Sequence, residues 1–109
     1  VLLAAVPEAE ARAIVEASER RANTPFTRTD PDDLMAEFSR VRRQGYALID
    51  QELEIGLRSI AVPLENARGR VVAALNIGAP AAHAAADEMV ERYLPAMREV
   101  QAALRQVLP

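Results

Sequence analysis

Two small polar residues, Ser59 and Asn76, stand inside segments that are otherwise apolar. A hydroxyl and an amide placed in this way can orient the carboxylate or hydroxyl of a small ligand within a largely apolar pocket. Residue types alone leave two other interpretations open. Ser59 can bond to nearby backbone, and Asn76 can begin the turn at the end of a strand. The pair is therefore a candidate ligand site.

Three carboxylates and the single histidine form a second candidate group. Asp50, Glu52 and Glu54 alternate just before an apolar segment, and His83 lies in an alanine-rich stretch. If Asp50, Glu52 and His83 met in one cleft, they would suit the acid–base chemistry of a small hydrolase or lyase. The alternative is a solvated edge between strands and a surface histidine. No metal-binding loop pattern fits the carboxylates.

The composition excludes several kinds of chemistry. The 109 residues include no cysteine, which removes thiolate nucleophiles, disulfides and cysteine-ligated metals. With one histidine there is no His-rich metal site, and no cofactor is expected. A net charge of −3 is unlike the basic surface of a domain that binds duplex DNA. No apolar run approaches the roughly 18–20 residues that span a bilayer, so no membrane contact is expected.

The start of the sequence predicts that the chain is a fragment. Residues 1–6 are apolar, include no initiator methionine, and lack the basic residues and length of a signal peptide. A chain that begins within an apolar run is expected to continue a longer domain.

The clearest local signals predict a helix in the region 30–44. Thr29 or Asp30 is expected to cap it, and Pro31 suits its first position. Gly45 stands where a left-handed residue would end it. Its apolar stripe, spaced by three and four residues, comprises Leu34, Phe38 and Val41.

Two further helices are predicted on either side. The first begins at Pro7 and turns Ile14 and Val15 inward. The last begins near Ala84, and Pro95 is expected to kink it or restart it, because proline removes one intrahelical hydrogen bond. Its apolar stripe, expected to be core or subunit contact, comprises Ala85, Met89, Tyr93, Met97, Val100, Leu104 and Val107.

Three intervening segments, 46–49, 57–64 and 71–77, have the composition of strands. A polar loop with a glycine joins the last two and predicts a hairpin, and residues 78–80 are expected to end the sheet. The order of elements predicts an α+β domain built on an antiparallel sheet.

Strand alternation assigns side chains to the two faces of this sheet. Leu57, Ser59 and Ala61 are predicted to share one face, and Val72, Ala74, Asn76 and Gly78 share a face of the partner strand. Arg58 points away from Ser59, and we expect it to form a structural ion pair with Glu52 or Glu54.

Three consecutive motifs form a specific pattern: Gly45-Tyr46-Ala47-Leu48-Ile49-Asp50-Gln51-Glu52, Gly56-Leu57-Arg58-Ser59-Ile60-Ala61-Val62-Pro63 and Gly69-Arg70-Val71-Val72-Ala73-Ala74-Leu75-Asn76-Ile77. This pattern resembles the effector-binding domain of IclR-family transcriptional regulators. The flanks agree, from Leu2-Leu3-Ala4 to Met89-Val90-Glu91-Arg92-Tyr93-Leu94-Pro95. Within the family, the sequences of these motifs most resemble regulators of the β-ketoadipate pathway, of the protocatechuate and 4-hydroxybenzoate type.

The resemblance implies a GAF-like sensory domain that binds a small organic acid and controls catabolic genes. Residues 1–109 would be its C-terminal part, without the N-terminal winged helix-turn-helix and the first half of the sensory domain. The resemblance further implies a cytoplasmic homo-oligomer, dimer or tetramer, which contacts DNA only through the absent domain.

Carried over by position, the family's effector site falls on Ile49, Leu57, Ser59, Asn76 and Gly78. Glyoxylate-type members have aspartate in place of Ile49, cysteine in place of Ser59, and serines at the last two positions. An isoleucine and a glycine suit a ligand bulkier than a two-carbon acid, such as an aromatic acid or a dicarboxylate like β-ketoadipate. The sequence therefore predicts an effector sensor that is not an enzyme. The alternatives are the small hydrolase or lyase described above and a purely structural dimerisation module.

Overall fold

The structure, a computed structural model, describes residues 1–109. A short 3₁₀ turn is followed by two helices, three strands and a long helix. Their bounds are Leu3–Ala5 for the turn, Glu8–Ala17 for α1, Pro31–Gln44 for α2, Ala47–Asp50 for β1, Leu57–Glu65 for β2, Val71–Pro80 for β3 and Ala86–Leu104 for α3. The predicted α+β class is confirmed.

The three strands form one antiparallel sheet in the order β1-β2-β3, so β1 and β3 are its edges. β3 is ten residues long and carries no charged side chain. It continues to Pro80, which lies opposite Leu57. The sheet therefore ends at Pro80, within the predicted residues 78–80, but β3 runs three residues past the predicted bound at 77 because residues 57–59 of β2 pair with them. As a result Gly78 is a strand residue.

The main core lies between the sheet and α3. Ile60 and Val62 of β2 and Met89 and Met97 of α3 are almost completely buried. This confirms that the methionine stripe of the last helix belongs to the core. Two later members of the stripe are not buried, however: Val100 is 43% exposed and Val107 is 73% exposed.

α3 runs through Pro95 without interruption, so the predicted restart is wrong. The proline lies on the exposed side of the helix, where water can satisfy the carbonyl that loses its partner. Arg98, one turn later, donates hydrogen bonds to the carbonyl oxygens of Gly45 and Gln44 at 3.2 and 3.4 Å. These bonds join α3 to the end of α2.

The ends of α2 follow the prediction. Asp30 caps the helix by accepting a hydrogen bond from the Asp33 backbone N–H at 3.1 Å. Gly45 ends it in the left-handed region at φ 82°, and its N–H donates to the Val41 carbonyl at 2.8 Å. A side chain at position 45 would be strained and would also meet the guanidinium of Arg98.

A second, smaller core joins the 3₁₀ turn, α2 and β1. Ala4, Val41 and Ala47 are buried there. The inward assignment of Ile14 is wrong, since Ile14 is 42% exposed although its neighbour Val15 is buried. Near the start of α2, Leu34 of the predicted stripe is half-buried, and Met35 beside it is buried.

Candidate functional site

The face of the sheet opposite α3 brings three of the five predicted site residues into one row. Ile49 of β1 lies opposite Ser59 of β2, and Ser59 lies opposite Gly78 of β3. Directly opposed residues of antiparallel strands have Cβ atoms about 4.5–5.5 Å apart. The three positions therefore form a continuous strip across the sheet.

The other two predicted residues flank this strip on the same face. Asn76 lies opposite Ala61 and is thus a diagonal neighbour of Ser59, a relation that corresponds to about 7–8 Å. Leu57 lies opposite Pro80, and its Cδ1 atom is 3.6 Å from the place where a Cβ atom would stand on Gly78. The alternation predicted from the sequence is confirmed.

The polar groups of this face are free to bind a ligand. Ser59 is half-buried and Asn76 is exposed, and neither side chain takes part in the side-chain hydrogen bonds of the chain. Asn76 lies well inside β3 rather than at a turn. Of the interpretations left open, local bonding of Ser59 and a turn at Asn76 are both absent.

Neither Ser59 nor Asn76 lines any of the three main cavities of this chain. A shallow depression of about 280 Å³ lies beside Leu57 and Gly78. A larger cavity, about 1260 Å³, lies at the other end of the hairpin and contains none of the five residues. Its lining includes two glutamates, Glu10 and Glu65, and four arginines: Arg42, Arg70, Arg98 and Arg105. The predicted ligand pocket is therefore an open surface in this chain. The arginine-lined cavity is a second region whose charge can attract an organic acid.

A third cleft, about 460 Å³, lies between β1 and the segment before α2. Its charged lining is mainly acidic, with Arg28 the one basic residue against four carboxylates: Asp30, Asp33, Asp50 and Glu52. Since these carboxylates repel an anion, this cleft does not suit an organic acid.

The carboxylates and histidine do not assemble into a catalytic group. Asp50 accepts a hydrogen bond from Arg58 Nε at 2.7 Å, and Glu52 accepts one from the Arg28 backbone N–H at 2.9 Å. His83 is exposed and bonds to neither acid through its side chain. The acids also form no group that could hold a metal ion. Acid–base catalysis by these three residues therefore lacks the convergence that it requires.

Arg58 has the structural role that alternation predicts, but with a different partner. It pairs with Asp50 rather than Glu52 or Glu54, because the strand register places Asp50 directly opposite it. Its Nη1 group also donates to the Ala81 and Ala84 carbonyl oxygens at 2.9 and 2.7 Å. Arg58 thus ties β1 and β2 to the segment that leads into α3.

The connection from β1 to β2 contains a residue that sequence reasoning missed. Gln51 has φ 59°, the one non-glycine residue of the chain with a positive φ. The Thr24 hydroxyl, buried in the preceding loop, donates to the Gln51 carbonyl at 2.6 Å. Glutamine gives no sequence signal for this conformation, whereas asparagine or glycine would have done so.

The fold and this face define a class of protein. The few unbonded polar groups among apolar ones on this face match the composition of the lining of small-molecule sites. None of the helices combines the length and the apolar character that crossing a membrane requires.

Comparison with known proteins identifies the family. Residues 1–106 match the family model of the bacterial transcriptional regulator IclR C-terminal domain, so the chain belongs to the IclR family. It is 42% identical over 95 residues to the Pca regulon regulatory protein of Pseudomonas putida. That match covers 87% of this chain and 33% of the relative, so the chain spans about a third of the relative's length.

Two solved structures share the fold closely. A transcriptional regulator from Rhodococcus sp. RHA1 matches with a TM-score of 0.91 and 39% identity, over 97% of this chain and 42% of that one. The inducer-binding domain of the Acinetobacter PobR transcription factor, a double mutant in complex with 3-hydroxybenzoic acid, matches with a TM-score of 0.93 and 29% identity. That match covers 98% of this chain and 61% of the other.

These relatives are named as transcriptional regulators and not as enzymes. The comparisons therefore confirm the expected fold of an IclR-type effector domain, and this chain covers part of that domain. The matched family is one of transcriptional regulators, which argues against the hydrolase or lyase alternative.

Proposed function

We propose that this chain is the C-terminal part of an effector-sensing domain that binds a small organic acid on the open face of its sheet. The site comprises Ile49, Leu57, Ser59, Asn76 and Gly78. Ser59 and Asn76 bond to the polar groups of the acid, and the other three positions accommodate its apolar body. The rest of the sensory domain, N-terminal to this chain, covers the face and closes the pocket.

One observation carries this proposal: the unbonded Ser59 hydroxyl and Asn76 amide share the only sheet face that α3 leaves uncovered. The opposite face has no room for a ligand, because Ile60 and Val62 are completely buried there. Gly78 leaves space at the β3 end of the strip, which favours a flat or elongated ligand over a two-carbon acid. An aromatic acid or a dicarboxylate such as β-ketoadipate meets these requirements.

The relatives support the chemical class. A hydroxybenzoic acid occupies the PobR domain, and the Pseudomonas putida relative is named for the Pca regulon. We extend this to the whole protein as a cytoplasmic homo-oligomer, dimer or tetramer, that contacts DNA through an N-terminal winged helix-turn-helix. Effector binding changes the affinity for DNA only if the acid binds one conformational state better than another.

The test is effector binding to the intact regulator, measured by thermal shift and isothermal titration. The acids are protocatechuate, 4-hydroxybenzoate, 3-hydroxybenzoate and β-ketoadipate, with glyoxylate as the small acid for comparison. We expect at least one larger acid to raise the melting temperature. Ser59→Ala and Asn76→Ala should each weaken its binding by roughly 10-fold or more, since a hydrogen bond to a charged group contributes about 1.5–3 kcal/mol.

A matched control separates this site from the arginine-lined cavity. Arg70→Gln removes a charge from that cavity, and the Arg70 side chain makes no ion pair that would be lost. The proposal expects binding by Arg70→Gln to equal that of the wild type. Loss of binding in Arg70→Gln with normal binding in Ser59→Ala and Asn76→Ala would place the acid in the other cavity. If no acid shifts the melting temperature, the domain is a structural dimerisation module instead.

A further inference from the structure

The connection between β1 and β2, residues 51–56, joins the two strands that carry Ile49, Leu57 and Ser59. Any change in its conformation would move the ends of both strands. Gln51 and Gly56 lie at the two ends of this connection. Gln51 follows Asp50, the last residue of β1, and Gly56 precedes Leu57, the first residue of β2. What holds the connection in place therefore also sets the spacing of the proposed effector site.

Gln51 makes four hydrogen bonds that close this connection. Its backbone N–H donates to the Leu57 carbonyl at 2.9 Å, and its carbonyl accepts from the Thr24 hydroxyl at 2.6 Å. Its side-chain Oε1 accepts from the Gly56 backbone N–H at 3.0 Å, and its Nε2 donates to Asp50 Oδ1 at 3.2 Å. One residue thus bonds to both strand ends and to the loop before α2.

The backbone of Gln51 is held in an unfavourable conformation. Its φ of 59° lies in the left-handed region, which residues with a Cβ atom other than asparagine and aspartate rarely adopt. Such a conformation persists when the surrounding contacts over-determine it, and it is often found beside functional sites. The side-chain bond to Gly56 and the buried Thr24 hydroxyl are contacts of this kind.

Asn66 offers a comparison at the other loop of the sheet. Its Oδ1 accepts from the backbone N–H groups of Arg68 and Arg70, both at 3.0 Å, and so closes the β2–β3 hairpin as Gln51 closes the β1–β2 connection. Asn66 has a negative φ, since it is absent from the positive-φ residues, and it lies at the end of the hairpin away from the proposed site. In both loops a side-chain amide oxygen accepts hydrogen bonds from backbone N–H groups, but only the loop of Gln51 adjoins the proposed site.

We infer that Gln51 is a positioning residue for the effector site. It fixes Leu57 and Ile49 at the spacing that the acid requires, although its own side chain points to the loop and contacts no ligand. This inference rests on the proposed function. It assigns to a strained loop residue a contribution to effector affinity that exceeds its contribution to folding.

The test compares four variants of the intact regulator, with 4-hydroxybenzoate, protocatechuate and β-ketoadipate as probes. Gln51→Gly keeps the left-handed backbone without strain but removes both side-chain hydrogen bonds, to Gly56 and to Asp50. We expect its melting temperature to stay within about 3 °C of the wild type, because relief of strain offsets the lost bonds. Its Kd should rise roughly 3- to 10-fold, as expected when these side-chain bonds no longer order the loop.

Gln51→Asn provides a second variant that tolerates the left-handed region, but its shorter side chain cannot reach Gly56, so its Kd should rise as well. Gln51→Glu keeps the acceptor for Gly56 but replaces the donor to Asp50 with a carboxylate that repels it, so its Kd should also rise. Asn66→Ala, the matched control, should lower the melting temperature and leave the Kd unchanged.

Wild-type Kd in both Gln51→Gly and Gln51→Asn would overturn the inference and leave the proposed function intact. A lower melting temperature of these two variants with an unchanged Kd would also overturn the inference, since it would show that Gln51 contributes to folding alone. If none of the three acids binds the wild-type protein, the proposed function fails first.

Discussion

The two faces of the sheet are built from alternate residues of the same strands, yet they differ in what they contact. On one face Ile60 and Val62 are buried beneath α3, whereas on the other Asn76 and Gly78 are exposed. Because side chains alternate along a strand, a substitution on the open face leaves the packing of the covered face in place. Stability and recognition can therefore vary separately in this sheet.

The largest expected effect on the free energy of unfolding is at Ile60 of β2, and the comparison is Ile49 of the neighbouring strand β1. Ile60→Ala removes a fully buried side chain and should lower the free energy of unfolding by about 2–5 kcal/mol. Ile49→Ala, on the half-buried open face, should cost about 1 kcal/mol. Urea denaturation of the intact protein measures both. Equal losses would contradict the division of the sheet into a stabilising face and a binding face.

An intermediate effect is expected at the polar residue of the covered face. Arg58→Met removes the donor for two backbone carbonyls and for Asp50, which should cost about 1–3 kcal/mol. The comparison is Arg105→Met, whose pairing with Glu65 at 3.6 Å is half-exposed and should contribute under about 0.5 kcal/mol. A loss in Arg105→Met as large as that in Arg58→Met would show that burial does not decide their contributions.

The smallest effect on stability is expected at Gly78, and it has the opposite sign. A Cβ atom there meets Leu57 Cδ1 at an ordinary contact distance of 3.6 Å, and the backbone needs no positive φ. Gly78→Ala should therefore stabilise the protein by up to about 1 kcal/mol, since alanine loses less conformational entropy on folding. The same methyl group narrows the proposed site at its β3 end and should weaken binding of an aromatic acid. Thermal melting and titration on one sample check both; unchanged binding would remove Gly78 from the site.

Local features of this fold were predictable from sequence because short-range chemistry determines them. Asp30, Pro31 and Gly45 delimit α2 through capping and backbone preference, which act over a few residues. Alternation along β2 placed Ser59 and Arg58 on opposite faces for the same reason.

Features that depend on contacts between distant segments were not predictable. Burial of Val15 in place of Ile14 depends on how α1 packs against α2 and the 3₁₀ turn. The hydrogen bond from Thr24 to Gln51 joins residues 27 positions apart, and neither residue type indicates it in the sequence. Whether the proposed site closes likewise depends on what covers the open face, which strand periodicity does not describe.

The outer edge of β3 has a practical consequence for work with this segment by itself. Its ten uncharged residues present a row of unpaired backbone donors and acceptors, without the lysines or inward-pointing charges by which natural proteins discourage edge-to-edge aggregation. A preparation of residues 1–109 alone is expected to self-associate through this edge as its concentration rises. Charged substitutions at outward-facing positions of β3, such as Ala74→Lys, would make the isolated segment easier to keep in solution.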